Sequence, residues 1–359
     1  MNADCLKLTV YFGERDRIGR RFLADALVDV YARHELETSV VMRATQGFGA
    51  KQLLRTDRLL TLSEDLPLVS VAVDARRRIE TALAEVAALR FDGLLTLERA
   101  RMLFGPFGRV VELPQEPGEA TKLTVYLGRQ ERAGGRPAHL AVVDLLHRHG
   151  IAGATVLLGV DGTARGVRRR ARFFGRNAEV PLMVISVGDG GRIAAALPEL
   201  GALLNRPLVT LERVRILKRD GVRLAEPREL PASDASGLDI WQKLMVYAGE
   251  QSRHGDEVLY TELVRRLRAG GAAGATSLRG VWGYHGDHLP HGDSFWRLRR
   301  RVPVVTVLVD HPERVRHWFA IVDELTSETG LVTSEIVPAM RATGPGLRAG
   351  GLRLAAPEA

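Results

Sequence analysis

The chain contains one cysteine and no long apolar run. Because Cys5 is alone among 359 residues, an internal disulfide and a cysteine-based zinc site are both excluded. No stretch approaches the roughly 18 consecutive apolar residues that span a bilayer. Asp4 and Lys7 precede the first apolar run, which is unlike a signal peptide. We therefore expect a cytoplasmic protein.

The sequence also lacks a recognisable set of catalytic residues. Cys5 has no histidine at a spacing typical of a thiol nucleophile, and no nucleophile, base and orienting group occur together. No pair of carboxylates is flanked by residues that indicate a pocket. We therefore expect a protein that is not an enzyme.

A seven-residue strand motif occurs three times and organises the whole chain. It stands at Lys7–Gly13 (KLTVYFG), Lys122–Gly128 (KLTVYLG) and Lys243–Gly249 (KLMVYAG), at steps of 115 and 121 residues. These steps fit small domains better than solenoid repeats. We predict copy 1 at 1–112, copy 2 at 119–222, copy 3 at 239–342 and a disordered tail at 343–359.

The first copy alternates strands and helices in a recognisable order. Its patterns predict strands at 6–12, 38–42, 68–73 and 93–99, and helices at about 17–34 and 76–89. The resulting order, βαββαβ, is that of the ferredoxin-like fold, in which two helices cover an antiparallel sheet. The other copies repeat it, so we predict an α+β chain of three tandem ferredoxin-like domains.

The positive charge of the chain belongs to the middle copy. The formal net charge is +8, and residues 120–230 alone carry 19 Lys or Arg against 10 Asp or Glu. Arg165, Arg168, Arg169 and Arg170 lie in the loop after the second strand. Such a cluster suits phosphates, an acidic protein or RNA, although a solvated basic loop is equally consistent with it. A scaffold that binds acidic protein or RNA through 165–176 therefore stays open, but nucleic acid is disfavoured because no RNP-type aromatic motif occurs.

The corresponding loop of copy 1 contains Gly47, Gly49 and Lys51. Its backbone amides and its ammonium group could face a phosphate, because glycines allow a close approach of the main chain. A flexible hairpin tip is the alternative, and the spacing is not that of a P-loop. Gly162 and Gly283 stand where Gly47 stands, and we include both among the candidate ligand-binding residues.

The corresponding loop of copy 3 is rich in histidine. His285, His288 and His291 lie among aspartates at 285–293, a set that suits a divalent transition metal. A metal-binding or ion-homeostasis protein is therefore a second alternative. The same histidines could instead hold an anion or respond to pH, since their unperturbed pKa is about 6.5.

The three copies together resemble the bacterial family called domain of unknown function 190. The likeness covers about 6–105, 122–219 and 243–341. It is carried by the Lys-Leu-Thr-Val-Tyr strands, Gly47-Phe48-Gly49, Ser63–Pro67, the ending Gly93–Glu98, Gly153–Thr155 and Gly274–Thr276.

This resemblance implies a binding or signalling protein. The family is similar in fold to the PII signalling proteins, which are trimers that bind adenine nucleotides between subunits and contact targets through the loop after the second strand. Its members are often encoded beside fluoride channels. The resemblance thus implies a small-molecule ligand, an adenine nucleotide among the candidates, and a membrane channel or another regulated protein as partner.

Fusion of three copies has a physical consequence. Linkers remove the entropy of assembling three subunits and let each cleft diverge. We predict a monomeric PII-like pseudo-trimer with three non-equivalent clefts, and His285 joins the candidate ligand residues.

The sequence departs from the PII proteins at one place that matters for nucleotide binding. The stretches at 90–93, 204–207 and 328–330, where PII proteins carry a phosphate-binding loop, are short and lack lysine.

Overall fold

The structure is a computed structural model that describes residues 2–49, 52–57, 65–105, 107, 113, 118–170, 180–233, 239–285, 290–292, 302–343 and 347–350. Within these ranges, six α-helices lie against one large antiparallel sheet, and three two-stranded ribbons stand beside it. No helix in the described part of the chain is both long and apolar enough to cross a bilayer. The predicted mixture of helices and strands is confirmed.

The first copy follows the predicted order, with short additional strands. Its elements are β1 (Asn2–Gly13), β2 (Arg17–Ile18), β3 (Arg21–Phe22), α1 (Leu23–Arg33), β4 (Thr38–Arg43), β5 (Gln46–Phe48), β6 (Arg55–Thr56), β7 (Pro67–Ala75), α2 (Arg76–Ala88) and β8 (Gly93–Phe104).

The second copy repeats this order. Its elements are β9 (Glu119–Gly128), β10 (Arg132–Ala133), β11 (Arg136–Pro137), α3 (Ala138–Arg148), β12 (Gly153–Leu158), β13 (Asp161–Ala164), β14 (Val167–Arg168), β15 (Pro181–Gly188), α4 (Gly190–Leu203), β16 (Leu208–Arg219) and β17 (Val222–Arg223).

The third copy ends in two further strands. Its elements are β18 (Trp241–Gly249), β19 (Arg253–His254), β20 (Glu257–Val258), α5 (Leu259–Ala269), β21 (Ala275–Arg279), β22 (Trp282–His285), β23 (His291–Gly292), β24 (Pro303–Asp310), α6 (Pro312–Leu325), β25 (Leu331–Val337), β26 (Ala339–Thr343) and β27 (Leu347–Gly350).

Four long strands of each copy form an antiparallel sheet in one order. In copy 1 the order is β8-β1-β7-β4, and copies 2 and 3 repeat it as β16-β9-β15-β12 and β25-β18-β24-β21. Successive residues of a strand point to opposite faces. Leu6, Leu8 and Val10 therefore share one face of β1, where they are buried with Leu27 of α1 and Ile79 of α2. Copies 2 and 3 pack their own helices in the same way.

The first helix begins later than predicted. The expected start was near Arg17, but residues 17–22 form the β2–β3 ribbon and α1 begins at Leu23. Gly19 adopts a φ of +61° at the tip of the ribbon, a conformation that glycine allows without steric cost. Equivalent ribbons precede α3 and α5, so this feature belongs to the repeat.

The fourth strand of each copy extends beyond its own sheet and pairs with another copy. Leu208 of β16 faces Phe104 of β8, and Arg215 of β16 faces Ser334 of β25. After β25, strand β26 pairs with the beginning of β8. Each copy is thereby joined to both of the others through backbone hydrogen bonds.

Short strands after each second strand provide a further set of links. Strand β5 of copy 1 pairs with β21 of copy 3, β13 of copy 2 pairs with β4 of copy 1, and β22 of copy 3 pairs with β12 of copy 2. We call these three places the 1–3, 2–1 and 3–2 seams. The sheet faces turned away from the helices bury one shared apolar core with residues from all copies, among them Val71, Met183 and Val305.

The tail differs from the prediction over five residues, Thr343 at the end of β26 and the four residues of β27. Leu347–Gly350, expected to be disordered, pairs with Ala339–Thr343 as a β-hairpin. The partner strand β26 is itself held on β8, which gives the hairpin a sheet edge to continue. Residues 344–346 and 351–359 lie outside the described residues.

Candidate functional site

Three of the candidate ligand-binding glycines lie in the seams. A Cβ on Gly47 would approach the carbonyl oxygen of Ala275 to 2.5 Å. A Cβ on Gly162 would collide with the carbonyl oxygen of Ser39, and Gly283 is equally close to copy 2. Glycine is needed here because the backbones of two copies approach each other closely.

A cavity of about 100 Å³ lies at the 1–3 seam. We call it the apolar cleft. Its walls come from Tyr11 and Leu94 of copy 1 and from Val307 and Val309 of copy 3. Phe48 of β5 is 4% exposed and reaches into the helix-packed core of copy 3, so the strand that closes the seam also shapes the cavity.

Charged side chains stand at the edge of the apolar cleft. Asp16 and Asp92 line it, together with Arg55, whose guanidinium lies 2.8 Å from the carboxylate of Asp65. The carboxylate of Asp16 accepts the backbone N–H of Gly13 at 2.7 Å. Burial raises the pKa of Asp16, although the Gly13 N–H and the Arg55 charge act in the opposite direction. The lining is thus apolar with an acidic edge.

Gly49 leaves room in the apolar cleft. It lines the cavity, and a Cβ placed on it would meet no atom within 4 Å. In the same loop, Leu53, which also lines the cavity, is 59% exposed, and Leu54 is 40% exposed. Gly49 is therefore the predicted site residue that a ligand could contact without any rearrangement.

The cavity at the 3–2 seam is smaller, about 20 Å³, and is lined by His285. Tyr284 occupies the position of Phe48. Its hydroxyl donates to the carbonyl oxygen of Ile151 at 2.9 Å, and its ring meets His147 edge-on at 4.9 Å. Tyr284 is thus held in the helix-packed core of copy 2, as Phe48 is in that of copy 3.

An open pocket of about 700 Å³ lies on copy 2 at the position that corresponds to part of the apolar cleft. Its charged lining is Arg132, Arg165, Arg169, Arg206 and Glu131. We call it the arginine pocket. Two of the predicted ligand-binding residues, Arg165 and Arg169, lie here together with Arg132 and Arg206, which were not predicted.

The other two predicted arginines face copy 1. Arg168 lies 2.7 Å from Asp29, 2.5 Å from Asp25 and 2.5 Å from Asp161, and Arg170 lies 3.0 Å from Asp25. Burial raises the pKa of Asp25, but the hydrogen bond from Arg168 and the charge of Arg170 outweigh it and lower the pKa. These two side chains hold the 2–1 seam together.

Two predicted site residues lie outside the described residues, namely Lys51 of the copy 1 loop and His288 of the predicted metal site. Of His291, the backbone alone is described, paired with Gly283. His285 is placed at the 3–2 seam. The metal hypothesis therefore stays a prediction.

The model of one protein family matches the chain three times. The family is domain of unknown function 190 (DUF190), described as an uncharacterized ACR, and the matches cover residues 5–102, 120–216 and 241–339. The chain belongs to DUF190. The predicted resemblance and its three tandem copies are confirmed.

One solved structure is weakly similar to the chain. The crystal structure of aspartate kinase from Synechocystis is 12% identical with a TM-score of 0.25. The match covers 94% of this chain, which spans about half (52%) of the kinase chain. A TM-score this low does not support a common fold.

The three DUF190 copies meet at a buried cluster of six charged side chains. Each first strand contributes a lysine and each fourth strand a glutamate. We call the cluster the Lys/Glu hexad, and its members are Lys7, Lys122, Lys243, Glu98, Glu212 and Glu335. All six are at most 6% exposed.

Every lysine of the hexad joins two copies. Lys122 lies 2.9 Å from Glu212 of its own copy and 2.6 Å from Glu335 of copy 3. Lys243 likewise lies 2.9 Å from Glu335 and 2.8 Å from Glu98 of copy 1. Lys7 completes the cycle, with its own Glu98 at 2.5 Å and an ion pair to Glu212. Carboxylate oxygens of the three glutamates lie within 4.8 Å of one another, and the three ammonium groups balance their charge.

The hexad shifts the pKa values of its members. Burial raises the pKa of Glu98, but the charges of Lys243, Lys7 and Lys122 hold it well below its ordinary value. Burial lowers the pKa of Lys243, and there the carboxylates do not compensate. The sequence carried a signal for this cluster, because the lysine that opens each strand motif faces the glutamate of its fourth strand in all three copies.

Proposed function

We propose that this chain is a non-enzymatic, PII-like regulatory protein. Its three ferredoxin-like units form a pseudo-trimer within one chain, and a small ligand binds in a cleft between copies. The chain then contacts its target through the loops after the second strands. The observation that carries the proposal is the apolar cleft, a cavity built from two copies beside such a loop.

The pairing of the copies supports the pseudo-trimer. Fourth strands link copy 1 to 2 and 2 to 3, and β26 links copy 3 to 1. The three seams repeat the cycle. Ion pairs of the hexad follow the same cycle. A closed ring of equivalent contacts is what a cyclic trimer has, and linkers of the fused chain supply the effective concentration.

Position and chemistry support the apolar cleft as the ligand site. Ligand pockets are concave, mostly apolar and equipped with a few polar groups, and they occur preferentially at interfaces between domains. Phe48 and Gly49 connect this cavity directly to the loop that carries the exposed Leu53 and Leu54. A bound ligand would therefore contact the segment that is able to present a surface to a target.

The experiment is a thermal-shift screen of purified wild type and Gly49→Leu against nucleotides and other metabolites. A ligand at about 100 times its Kd should stabilise the wild type by roughly 2.7 kcal/mol. Gly49 is an exposed lining residue of the apolar cleft, and a Cβ there meets no atom within 4 Å. We therefore expect a leucine side chain at this position to obstruct the cleft, so that Gly49→Leu loses this shift while keeping its own melting temperature.

Ala202→Leu is the control, since Ala202 is exposed on α4 of copy 2 and lines neither the apolar cleft nor the arginine pocket. Equal ligand shifts in Gly49→Leu and wild type would contradict binding in the apolar cleft.

A further inference from the structure

We propose that the arginine pocket of copy 2 binds a small phosphorylated molecule through the polyphosphate group. This inference rests on the proposed function, because it assigns a ligand class to one of the three diverged clefts. The apolar cleft and the arginine pocket are then separate sites with different chemistry.

Strand geometry divides the arginine cluster into two halves. Residues of opposite parity on a strand point to opposite sides. Arg168 and Arg170 point to Asp25 and Asp161, where their charge is balanced, whereas Val167 and Arg169 line the arginine pocket. The loop therefore presents some of its positive charge to the pocket, and the ion pairs of the seam hold the loop in place.

Three separate segments bring guanidinium groups to the pocket. Arg132 comes from the β10–β11 ribbon, Arg165 and Arg169 flank β14, and Arg206 precedes β16. Among the described lining residues, Glu131 is the only carboxylate, and it accepts the backbone N–H of Gly128 at 3.1 Å. Planar guanidinium groups bind phosphate oxygens in bidentate fashion, so several of them around one pocket match a polyphosphate.

The backbone of the pocket is fixed before any ligand arrives. The N–H of Arg165 donates to the carbonyl oxygen of Glu37 at 2.7 Å, and the N–H of Arg169 donates to that of Gly162 at 2.7 Å. The guanidinium of Arg132 donates to the carbonyl oxygen of Gly135 at 2.5 Å. Such preorganisation reduces the entropy that a ligand loses when it orders its site.

The neighbourhood of the pocket is positive as well. Arg129 follows Gly128, a lining residue, and burial together with the Arg129 charge lowers the pKa of His139. The pocket is concave and the arginines surround it instead of following a stripe. This shape favours a small polyphosphate over a nucleic-acid strand.

The test is isothermal titration of the full-length chain with inorganic tripolyphosphate. We compare wild type with Arg165→Ser/Arg206→Ser and with the charge-matched control Arg20→Ser/Arg77→Ser, whose two arginines are exposed on copy 1. We expect the pocket variant to bind tripolyphosphate at least tenfold more weakly, and the control to bind like wild type. Gly49→Leu should also bind like wild type.

Four results would overturn the proposal. The first is that wild type does not bind tripolyphosphate at millimolar concentration, and the second is that both double variants bind it equally weakly. The third is that Gly49→Leu no longer binds tripolyphosphate. The fourth is that wild type binds a single-stranded RNA oligonucleotide more tightly than tripolyphosphate. Circular dichroism of the pocket variant confirms that it is folded. If Gly49→Leu keeps all ligand-induced thermal shifts while the arginine variant loses tripolyphosphate binding, the apolar-cleft proposal fails and this one stands. If Gly49→Leu loses those thermal shifts while the arginine variant still binds tripolyphosphate, this proposal fails and the apolar-cleft proposal stands.

Discussion

The apolar cleft and the arginine pocket contain corresponding positions of two copies, yet their charges are opposite. Asp92 and Arg206 each stand six residues before the hexad glutamate of their copy, and they line the two sites. Seven residues after the seam glycine, copy 1 has Leu54 where copy 2 has Arg169. In a trimer of identical subunits these positions could not differ. The fused chain permits one fold to present an acidic, apolar cleft and a basic pocket.

The centre of the molecule shows the opposite tendency. All three copies place a lysine and a glutamate at the same cross-strand register in the hexad. Buried ion pairs contribute little net stability against apolar replacements, but an unmatched buried charge is costly. The hexad therefore favours the arrangement in which all three copies meet, while the outer clefts are free to change.

The largest effect is expected where the copies are alike. Lys122→Met leaves Glu212 and Glu335 buried without the ammonium group between them, so we expect a loss of about 3–5 kcal/mol in the free energy of unfolding, measured by urea titration. The matched control is Arg43→Met, which removes the partner of Glu14 in a half-exposed pair and should cost at most about 1 kcal/mol. Equal losses in the two variants would show that the hexad is not a linked buried network.

A smaller effect is expected from giving copy 2 the charge of copy 1. Arg206→Asp reproduces Asp92, and we expect tripolyphosphate to bind at least tenfold more weakly, about 1.4 kcal/mol, because a carboxylate replaces a phosphate partner. The control Thr329→Asp places an aspartate at the corresponding position of copy 3 and should leave the affinity unchanged. The contrast between the two sites would break down if both variants weakened binding alike.

The smallest effect is expected from pH, and it again concerns the hexad. In the folded chain, burial raises the pKa of Glu98 and that of Glu335, but the lysine charges outweigh the effect of burial and lower both. The unfolded chain therefore binds these protons more readily, and their stabilising contribution is present above a pH of about 4.3 and lost as the pH falls below it.

Urea titrations from pH 6 to pH 3 should show this decline, and Glu98→Gln should reduce its slope. An exposed carboxylate changed in the same way, Glu80→Gln, serves as the control. A decline with the same slope in both variants would contradict a role of the hexad in acid sensitivity.

The sequence predicted the parts of the fold that depend on local patterns. The Lys-Leu-Thr-Val-Tyr motifs and the alternation of strands and helices were enough for the three copies and the order of their long elements. The predicted start of α1 was wrong because the turn at Gly19 folds residues 17–22 into a ribbon ahead of the helix. Local patterns could not predict the pairing between copies, since paired residues such as Lys7 and Glu212 are 205 residues apart in sequence.

The candidate sites were predicted only in part. Sequence proximity grouped four arginines, but strand alternation sends Arg168 and Arg170 to copy 1 and leaves Arg165 and Arg169 beside Arg206. The apolar cleft could not be foreseen from composition, because strands of two copies far apart in sequence form its walls.

Divergence of the three clefts is the central claim, and the stoichiometry of tripolyphosphate binding tests it most directly. Calorimetric titration of the wild-type chain counts the sites without any substitution. Our account predicts one site per chain, because among the described residues the arginine lining belongs to copy 2. Three equal sites per chain, or none, would contradict it.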